Sequence, residues 1–395
     1  MDSSSLDKSR FVALTRHIPE LAPLIKHCPI FDNQDDPFFI NDLLFVKDLR
    51  YALLKIHSYD FPSLGTHRGF ARKEYLKNPR EVSALFVTKN DSDKQKKPCL
   101  LLSHGSGGNT ASEWQVARKL MDKFGFAVLI LDHYTQRGIR QTIQDQFQLS
   151  IESQMIDLAE AKKFVEKLPF IDSSKIIIAG VSRGGTVVDR LRRTHVLRTL
   201  DITPFSAYIC FYPLPHSQEI TPKMAPSPAL YIVGDQDDIT PLKVLKPYLD
   251  YLEAHGINSE LHVAKGAYHA FEYPGNGKLT VLNWFYRPTQ NLLLNRLIHK
   301  LAEFLFEPHG IVPMHKLQIL KESCYIYDEK GYFPLDKNCS IPKDLDFTAP
   351  RQSFTHLIDY VKNNVTYGGR VKRADDTTKH KAYEALYRFL EIVLS

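Results

Sequence analysis

Ile178-Ala179-Gly180-Val181-Ser182-Arg183-Gly184-Gly185 is the stretch that decides the fold. Residues 175–181 form an apolar run of strand length, and residues 184–200 carry helical spacing. Between them, Gly180 to Gly184 fits the GxSxG pattern of a nucleophile elbow, a sharp strand-to-helix turn with a serine at its tip. The chemistry needs that shape. A side chain at 180 or 184 would collide with neighbouring backbone in so tight a turn. The turn also presents the Ser182 hydroxyl at a helix N-terminus, where the helix dipole favours negative charge.

On the N-terminal side, residues 99–102 and 126–132 are short apolar strands, and residues 110–124 and 151–168 have helical spacing. The second of these helices lines up Met155, Leu158, Ala161 and Val165 on one face. On the C-terminal side, residues 205–212, 229–234 and 260–264 read as strands, with a helix over 242–255. Residues 51–58 and 81–89 alternate apolar and polar positions and add two strands. Strands apolar on both faces, alternating with amphipathic helices, predict a mostly parallel sheet flanked by helices on both sides. Chemistry in such sheets sits just beyond the C-terminal ends of the strands.

A serine hydroxyl needs a base to take its proton, and the base needs an acid to orient it. Around a GxSxG elbow the chain order is Ser, acid, His. The strand over 229–234 ends in Gly234-Asp235-Gln236-Asp237-Asp238, which places three aspartates in the loop where the acid belongs. Asp237 is preferred, with Asp235 and Asp238 as rivals that could instead form the turn. The next strand leads into Lys265-Gly266-Ala267-Tyr268-His269, so His269 follows the acid by 269 − 237 = 32 residues, one helix and one strand further on. His262 is the rival base, but it sits inside the strand pattern. An oxyanion hole needs backbone donors already aimed at the developing charge. The candidates are the N–H of Arg183, directly after the serine, and the N–H of Ser106 in the run His104-Gly105-Ser106-Gly107-Gly108.

These stretches resemble the dienelactone hydrolase family of the α/β-hydrolase fold over residues 99–271. The likeness lies in residues 102–108, Leu131-Asp132-His133-Tyr134-Thr135-Gln136-Arg137-Gly138, residues 178–185, 234–238 and 266–271. The resemblance implies an α/β-hydrolase core and an ester- or lactone-cleaving activity without metal or other cofactor. It supports Asp237 as the acid, three residues after the glycine. The founding enzymes carry cysteine where this chain has Ser182, which points to a general serine esterase acting on a small-molecule ester. A serine peptidase or amidase of the same fold is the first alternative, and a non-catalytic hydrolase-like binding protein the second. His104, Tyr134 and Arg137 are candidate substrate contacts. Arg137 and Arg140 could meet a substrate carboxylate or lock their loop, and the Arg183 side chain could face substrate.

Residues 289–306 and 377–394 both carry apolar helical stripes. The second resembles the family's closing helix. The expected division is an N-terminal extension over 1–45, with short helical patterns at 11–17 and 21–27; a hydrolase core over 46–274; an insertion or cap over 275–370; and the core's closing helix over 371–395.

The bulk numbers agree with a globular enzyme. Of 395 residues, 43% are hydrophobic and 24% charged. The formal net charge of +6, from 51 basic against 45 acidic residues, is scattered along the chain. It forms no concentrated basic face for nucleic acid. The longest apolar runs are far shorter than the roughly 20 residues of a membrane-spanning helix, and residues 1–7 lack the charged-then-apolar pattern of a secretory signal. The expectation is a cytoplasmic protein. The five cysteines show no CxxC spacing; Cys99 and Cys210 read as buried apolar residues, and a disulfide between Cys324 and Cys339 stays open. Nothing in the sequence speaks to oligomeric state.

Overall fold

The computed structural model describes residues 49–62, 67–89, 95–143, 148–215, 217–219, 222–237, 239–272, 280–282, 325–328, 331–334 and 369–395. The expected helices at 11–17, 21–27 and 289–306, and the Cys324–Cys339 pair, lie outside these residues.

The strands, in chain order, are β1 (Leu49–Tyr59), β2 (Pro79–Lys89), β3 (Lys97–Ser103), β4 (Ala127–Asp132), β5 (Ile171–Val181), β6 (Ala207–Phe211), β7 (Ser217–Glu219), β8 (Ala229–Gly234), β9 (Glu260–Ala264), β10 (Thr280–Leu282), β11 (Tyr325–Asp328), β12 (Gly331–Pro334) and β13 (Gly369–Val371). The longer helices are α1 (Ala111–Phe124), α2 (Ile151–Val165), α3 (Arg183–Leu191), α4 (Thr194–Leu200), α5 (Leu242–Ala254) and α6 (Asp376–Leu394). Eight strands form one sheet in the order β1-β2-β4-β3-β5-β6-β8-β9. The β1–β2 and β2–β4 pairs are antiparallel, and the remaining pairs are parallel. This is the mostly parallel, helix-flanked sheet of an α/β-hydrolase.

The physical basis is the one the apolar runs imply. Every residue of β4, β6 and β8 is buried, so both faces of the central sheet are covered. In β5, Ile176, Ile177, Ile178 and Ala179 are almost wholly excluded from water. Truncating Ile177 to alanine there should cost about 2–5 kcal/mol. Cys99 and Cys210 are buried free thiols. Helix α1 opens on a capping box, with Thr110 and Glu113 satisfying each other's end of the first turn, and stops at Gly125 in the left-handed region. Helix α6 packs against β9 and β8, the position of a closing helix.

Two expectations need correction. Strand β5 starts at Ile171, with Lys97 pairing across to Ile171 before a register shift. The helix expected over 184–200 is two helices, broken at Arg192-Arg193. The Arg192 carbonyl accepts from Ala225 N–H at 2.7 Å, and Thr194 N–H donates to the Lys223 carbonyl at 2.8 Å. Pairing with a distant segment replaces the helical bonds at that point. The buried Arg192 guanidinium fixes the break by donating to the Tyr231 hydroxyl at 2.7 Å and to Ser259 Oγ at 3.1 Å.

Beyond the main sheet, β10 pairs with β13, bringing Leu282 opposite Gly369, and β7, β11 and β12 form a second small sheet. Among the described residues no helix is long and apolar enough to cross a membrane.

Candidate active site

Ser182 stands between the end of β5 and the start of α3 with φ 53° and ψ −118°. A non-glycine residue in that region is strained, and such strain collects at functional sites. The surroundings leave no relaxed alternative. A β-carbon at Gly180 would lie 2.3 Å from the Gly184 carbonyl carbon, and one at Gly184 would lie 2.4 Å from the Ser103 carbonyl oxygen. Ser182 N–H donates to the Phe211 carbonyl of β6 at 2.9 Å, and the Ser182 carbonyl accepts from Thr186 N–H at 3.0 Å. The hydroxyl is thereby aimed at the loop after β9.

In that loop, His269 Nε2 lies 2.9 Å from Ser182 Oγ, and His269 Nδ1 lies 2.8 Å from Asp237 Oδ2. Asp237 follows β8, and its carboxylate is already an acceptor for Ile239 N–H at 2.9 Å, Thr240 N–H at 2.8 Å and Thr240 Oγ1–H at 2.9 Å. A carboxylate so placed only accepts, so Nδ1 carries the ring hydrogen and Nε2 presents its lone pair to the serine. Asp237 and His269 are buried, whereas Ser182 is partly exposed. The structure thus brings Ser182, His269 and Asp237 together. Asp235 is turned elsewhere and accepts from Gly266 N–H at 2.7 Å. Asp238 lies outside the described residues. His262 stays within β9, opposite Ile232.

The loop after β3 runs beside the serine: the β-carbon position of Gly105 is 3.2 Å from Ser182 Cβ. Gly105 N–H points to Glu113 Oε1 at 3.4 Å, and the Ser106 carbonyl accepts from Thr142 N–H at 2.7 Å. Ser106 follows Gly105, and Arg183 follows Ser182, so both candidate oxyanion amides belong to the two segments that meet at the hydroxyl.

Each of the three candidate substrate contacts has partners inside the protein. His104 is fully buried, with Nδ1 2.8 Å from the Gly105 carbonyl and Nε2 accepting from His133 N–H at 3.1 Å. Burial, then the neighbouring His133, holds it well below the usual histidine range. Tyr134 is buried, its hydroxyl 2.8 Å from Thr142 Oγ1. Arg137 grips Asp157 with two nitrogens at 2.8 and 2.9 Å, and reaches Asp60 at 2.6 Å and the His133 carbonyl at 2.7 Å. It locks its loop, the second of its two readings. The Arg183 side chain likewise binds Gln154 Oε1 at 2.6 Å and the Leu149 carbonyl.

Two features went unread in the sequence. Ser103, His133 and Asp157 form a second Ser–His–Asp row, with Ser103 Oγ to His133 Nε2 at 3.1 Å and His133 Nδ1 to Asp157 Oδ2 at 2.7 Å. All three are fully buried. Burial alone would raise the Asp157 carboxyl; Arg137 and the hydrogen bond from His133 outweigh it and hold it below the usual range. The second feature is a pair of buried acids, Glu113 and Glu272. Burial pushes Glu113 up to about 7. The spacing Thr110-Ala111-Ser112-Glu113 was a readable capping box; nothing in the sequence marked Glu272. No group of three or more metal-ligating side chains is found among the described residues.

Solved structures similar to this chain include a thermophilic esterase, Est2, from Thermogutta terrifontis, at 18% identity and TM-score 0.41, covering 59% of this chain and 90% of that one. A dienelactone hydrolase-like promiscuous phosphotriesterase, P91, from metagenomic libraries matches at 18% identity and TM-score 0.38, covering 56% and 84%. An α/β-hydrolase, MGS-M1, from a deep-sea metagenome library of the Medee basin matches at 19% identity and TM-score 0.38, covering 55% and 85%. No curated protein matches. The sequence profile of the dienelactone hydrolase family matches residues 82–283, just over half of the chain and the span that holds the elbow, the acid loop and the histidine loop. On that match, and with the sheet and elbow described above, the chain belongs to the dienelactone hydrolase family.

Proposed function

We propose that this protein is a serine hydrolase that cleaves a carboxylic ester, or a lactone-like acyl bond, through an acyl-enzyme. What carries the reading is the continuous line from Asp237 Oδ2 through His269 to Ser182 Oγ, with steps of 2.8 and 2.9 Å, ending on a strained, partly exposed serine. His269 Nε2 takes the Ser182 proton as Oγ attacks the acyl carbonyl. The tetrahedral oxyanion rests on the N–H groups of Arg183 and Ser106, at the N-terminus of α3. His269 then protonates the leaving alcohol, and the ester bond breaks. Water, activated by the same nitrogen, frees the acid and returns the serine. Asp237 holds the ring in the tautomer this requires and stabilises the imidazolium. No step calls for a metal or other cofactor.

The same reading divides the chain into a hydrolase core over 46–274 and 371–395, an insertion over 275–370, and an N-terminal extension over 1–45. The β10–β13 pairing supports it, because an excursion must leave and rejoin the core at neighbouring points. The activity is tested with p-nitrophenyl esters of graded acyl length, wild type against Ser182→Ala. The expected result is saturable turnover by the wild type, optimal at one acyl length, with at most background turnover by the variant. Equal turnover by both proteins would defeat the reading.

A further inference from the structure

Three of the five non-glycine residues with positive φ among the described residues converge on one place: Ser182, Tyr212 at φ 36° and Ala270 at φ 56°. Ser182 is explained by the elbow, and Ala270 follows the histidine. Tyr212, the residue after β6, takes no part in the mechanism above. An aromatic side chain in that backbone region is costly, and the cost falls on the residue whose ring lies against His269. The ring centroids are 4.5 Å apart with planes inclined by 62°. The Tyr212 backbone N–H is anchored to the Ile232 carbonyl at 2.7 Å, so β8 fixes the residue from behind.

The Tyr212 hydroxyl donates to Glu272 Oε1. Glu272 stands three residues after His269 and is fully buried, with Ser112 the other side chain whose hydroxyl bears on its carboxyl. A carboxyl taken wholly out of water to meet two neutral hydroxyls, with no cation among the described residues beside it in hydrogen-bond contact, is a poor means of stabilising a core. Phe271, between His269 and Glu272, also packs its ring on Tyr212, with centroids 5.7 Å apart. Burial raises the Glu272 carboxyl, and the hydrogen bond from Tyr212, followed by its own backbone and His269, pulls the other way.

We propose that Tyr212 and Glu272 are positioning residues for His269: Glu272 holds the tyrosine hydroxyl, and the tyrosine ring holds the imidazole at the angle from which Nε2 reaches Ser182. The proposal rests on His269 being the base. Asp237 and Thr240 Oγ1 both meet the ring at Nδ1, at 2.8 and 3.2 Å, so they hold one end and leave the tilt of the ring about that end to other contacts. The Tyr212 ring sets this tilt, and Glu272 keeps Tyr212 from turning away.

The test compares Tyr212→Phe, Glu272→Gln and the double variant with wild type. All are near-isosteric and should fold. Turnover of p-nitrophenyl butyrate is measured with Ser182→Ala as control, and the downfield proton resonance of His269 Nδ1–H is recorded without substrate. Each single variant should lose about tenfold in kcat with KM within about twofold, and the double variant should be no worse than the singles, as for residues acting in series. The resonance should move in all three. Unchanged kcat with an unmoved resonance overturns the proposal, and so does a change confined to KM. If Ser182→Ala retains turnover, the esterase reading fails instead, and the resonance alone decides whether the pair positions the ring.

Discussion

Ser182–His269–Asp237 and Ser103–His133–Asp157 have nearly the same hydrogen-bond distances, 2.9 and 2.8 Å against 3.1 and 2.7 Å. Their surroundings differ in three ways. Ser182 is partly exposed at a strained turn, whereas Ser103 ends β3 in full burial. Ser182 opens α3, whereas Ser103 opens no helix. The Asp157 carboxylate is shared with the Arg137 guanidinium, whereas Asp237 is held by neutral donors. A charge already neutralised by arginine stabilises an imidazolium less. A serine that no substrate can reach has nothing to attack. On the proposed mechanism, three side chains in a row do not make a nucleophile; access, strain and an unspent negative charge do.

Substitutions in the two rows should separate chemistry from stability. Ser182→Ala should lower kcat/KM for the best p-nitrophenyl ester by at least ~10⁴-fold with little change in thermal midpoint. Asp237→Asn should follow, with a loss of roughly 10⁴-fold in kcat, because the amide no longer dictates the ring tautomer. Asp157→Asn should do the reverse. It leaves the buried Arg137 with Asp60 alone as counter-charge and should cost about 3–5 kcal/mol by denaturant unfolding. Ser103→Ala should be the mildest, with kcat/KM within about twofold and about 1 kcal/mol of stability lost. If Asp157→Asn removed activity without loss of stability, the comparison would break.

pH sharpens the same contrast. The Asp157 carboxyl is held below its usual range in the folded protein. Its contribution is complete above the unfolded value of about 4 and is lost as pH falls through the folded one. Glu113 is raised from 4.5 to about 7, which reverses the sign. The unfolded chain gives up that proton first, so stability falls as pH rises from about 4.5 to about 7. Thermal midpoints of Glu113→Gln should therefore lose less than wild type over that interval, and those of Asp157→Asn should lose less below pH 4. Parallel curves for wild type and Glu113→Gln would contradict the assignment.

The contrast also marks what a sequence can tell. Fully apolar strands and a glycine-bounded serine are local patterns, so β3, β4, β6, β8 and β9, the end of β5 and the elbow could be read directly. The chain order of serine, acid and histidine follows from the winding of the sheet, and residues 182, 237 and 269 meet where that order implies. Side-chain direction is another matter. His104, Tyr134 and Arg137 all follow strand ends, where substrate contacts belong, yet each turns inward. Arg137 is turned by Asp157 and Asp60 and His104 by His133, all from other elements, whereas Tyr134 meets Thr142 of its own loop. The break at Arg192 depends in the same way on residues 223–225, and Glu272 on Tyr212, sixty positions earlier. Long-range polar pairing leaves no periodicity to read.

The most direct test uses the difference in access. The native protein is treated with a fluorophosphonate probe, and the modified residue is located by mass spectrometry in wild type, Ser182→Ala and Ser103→Ala. A single adduct on Ser182, lost in Ser182→Ala and kept in Ser103→Ala, is the predicted result. An adduct on Ser103, or none on folded wild type, would contradict the account.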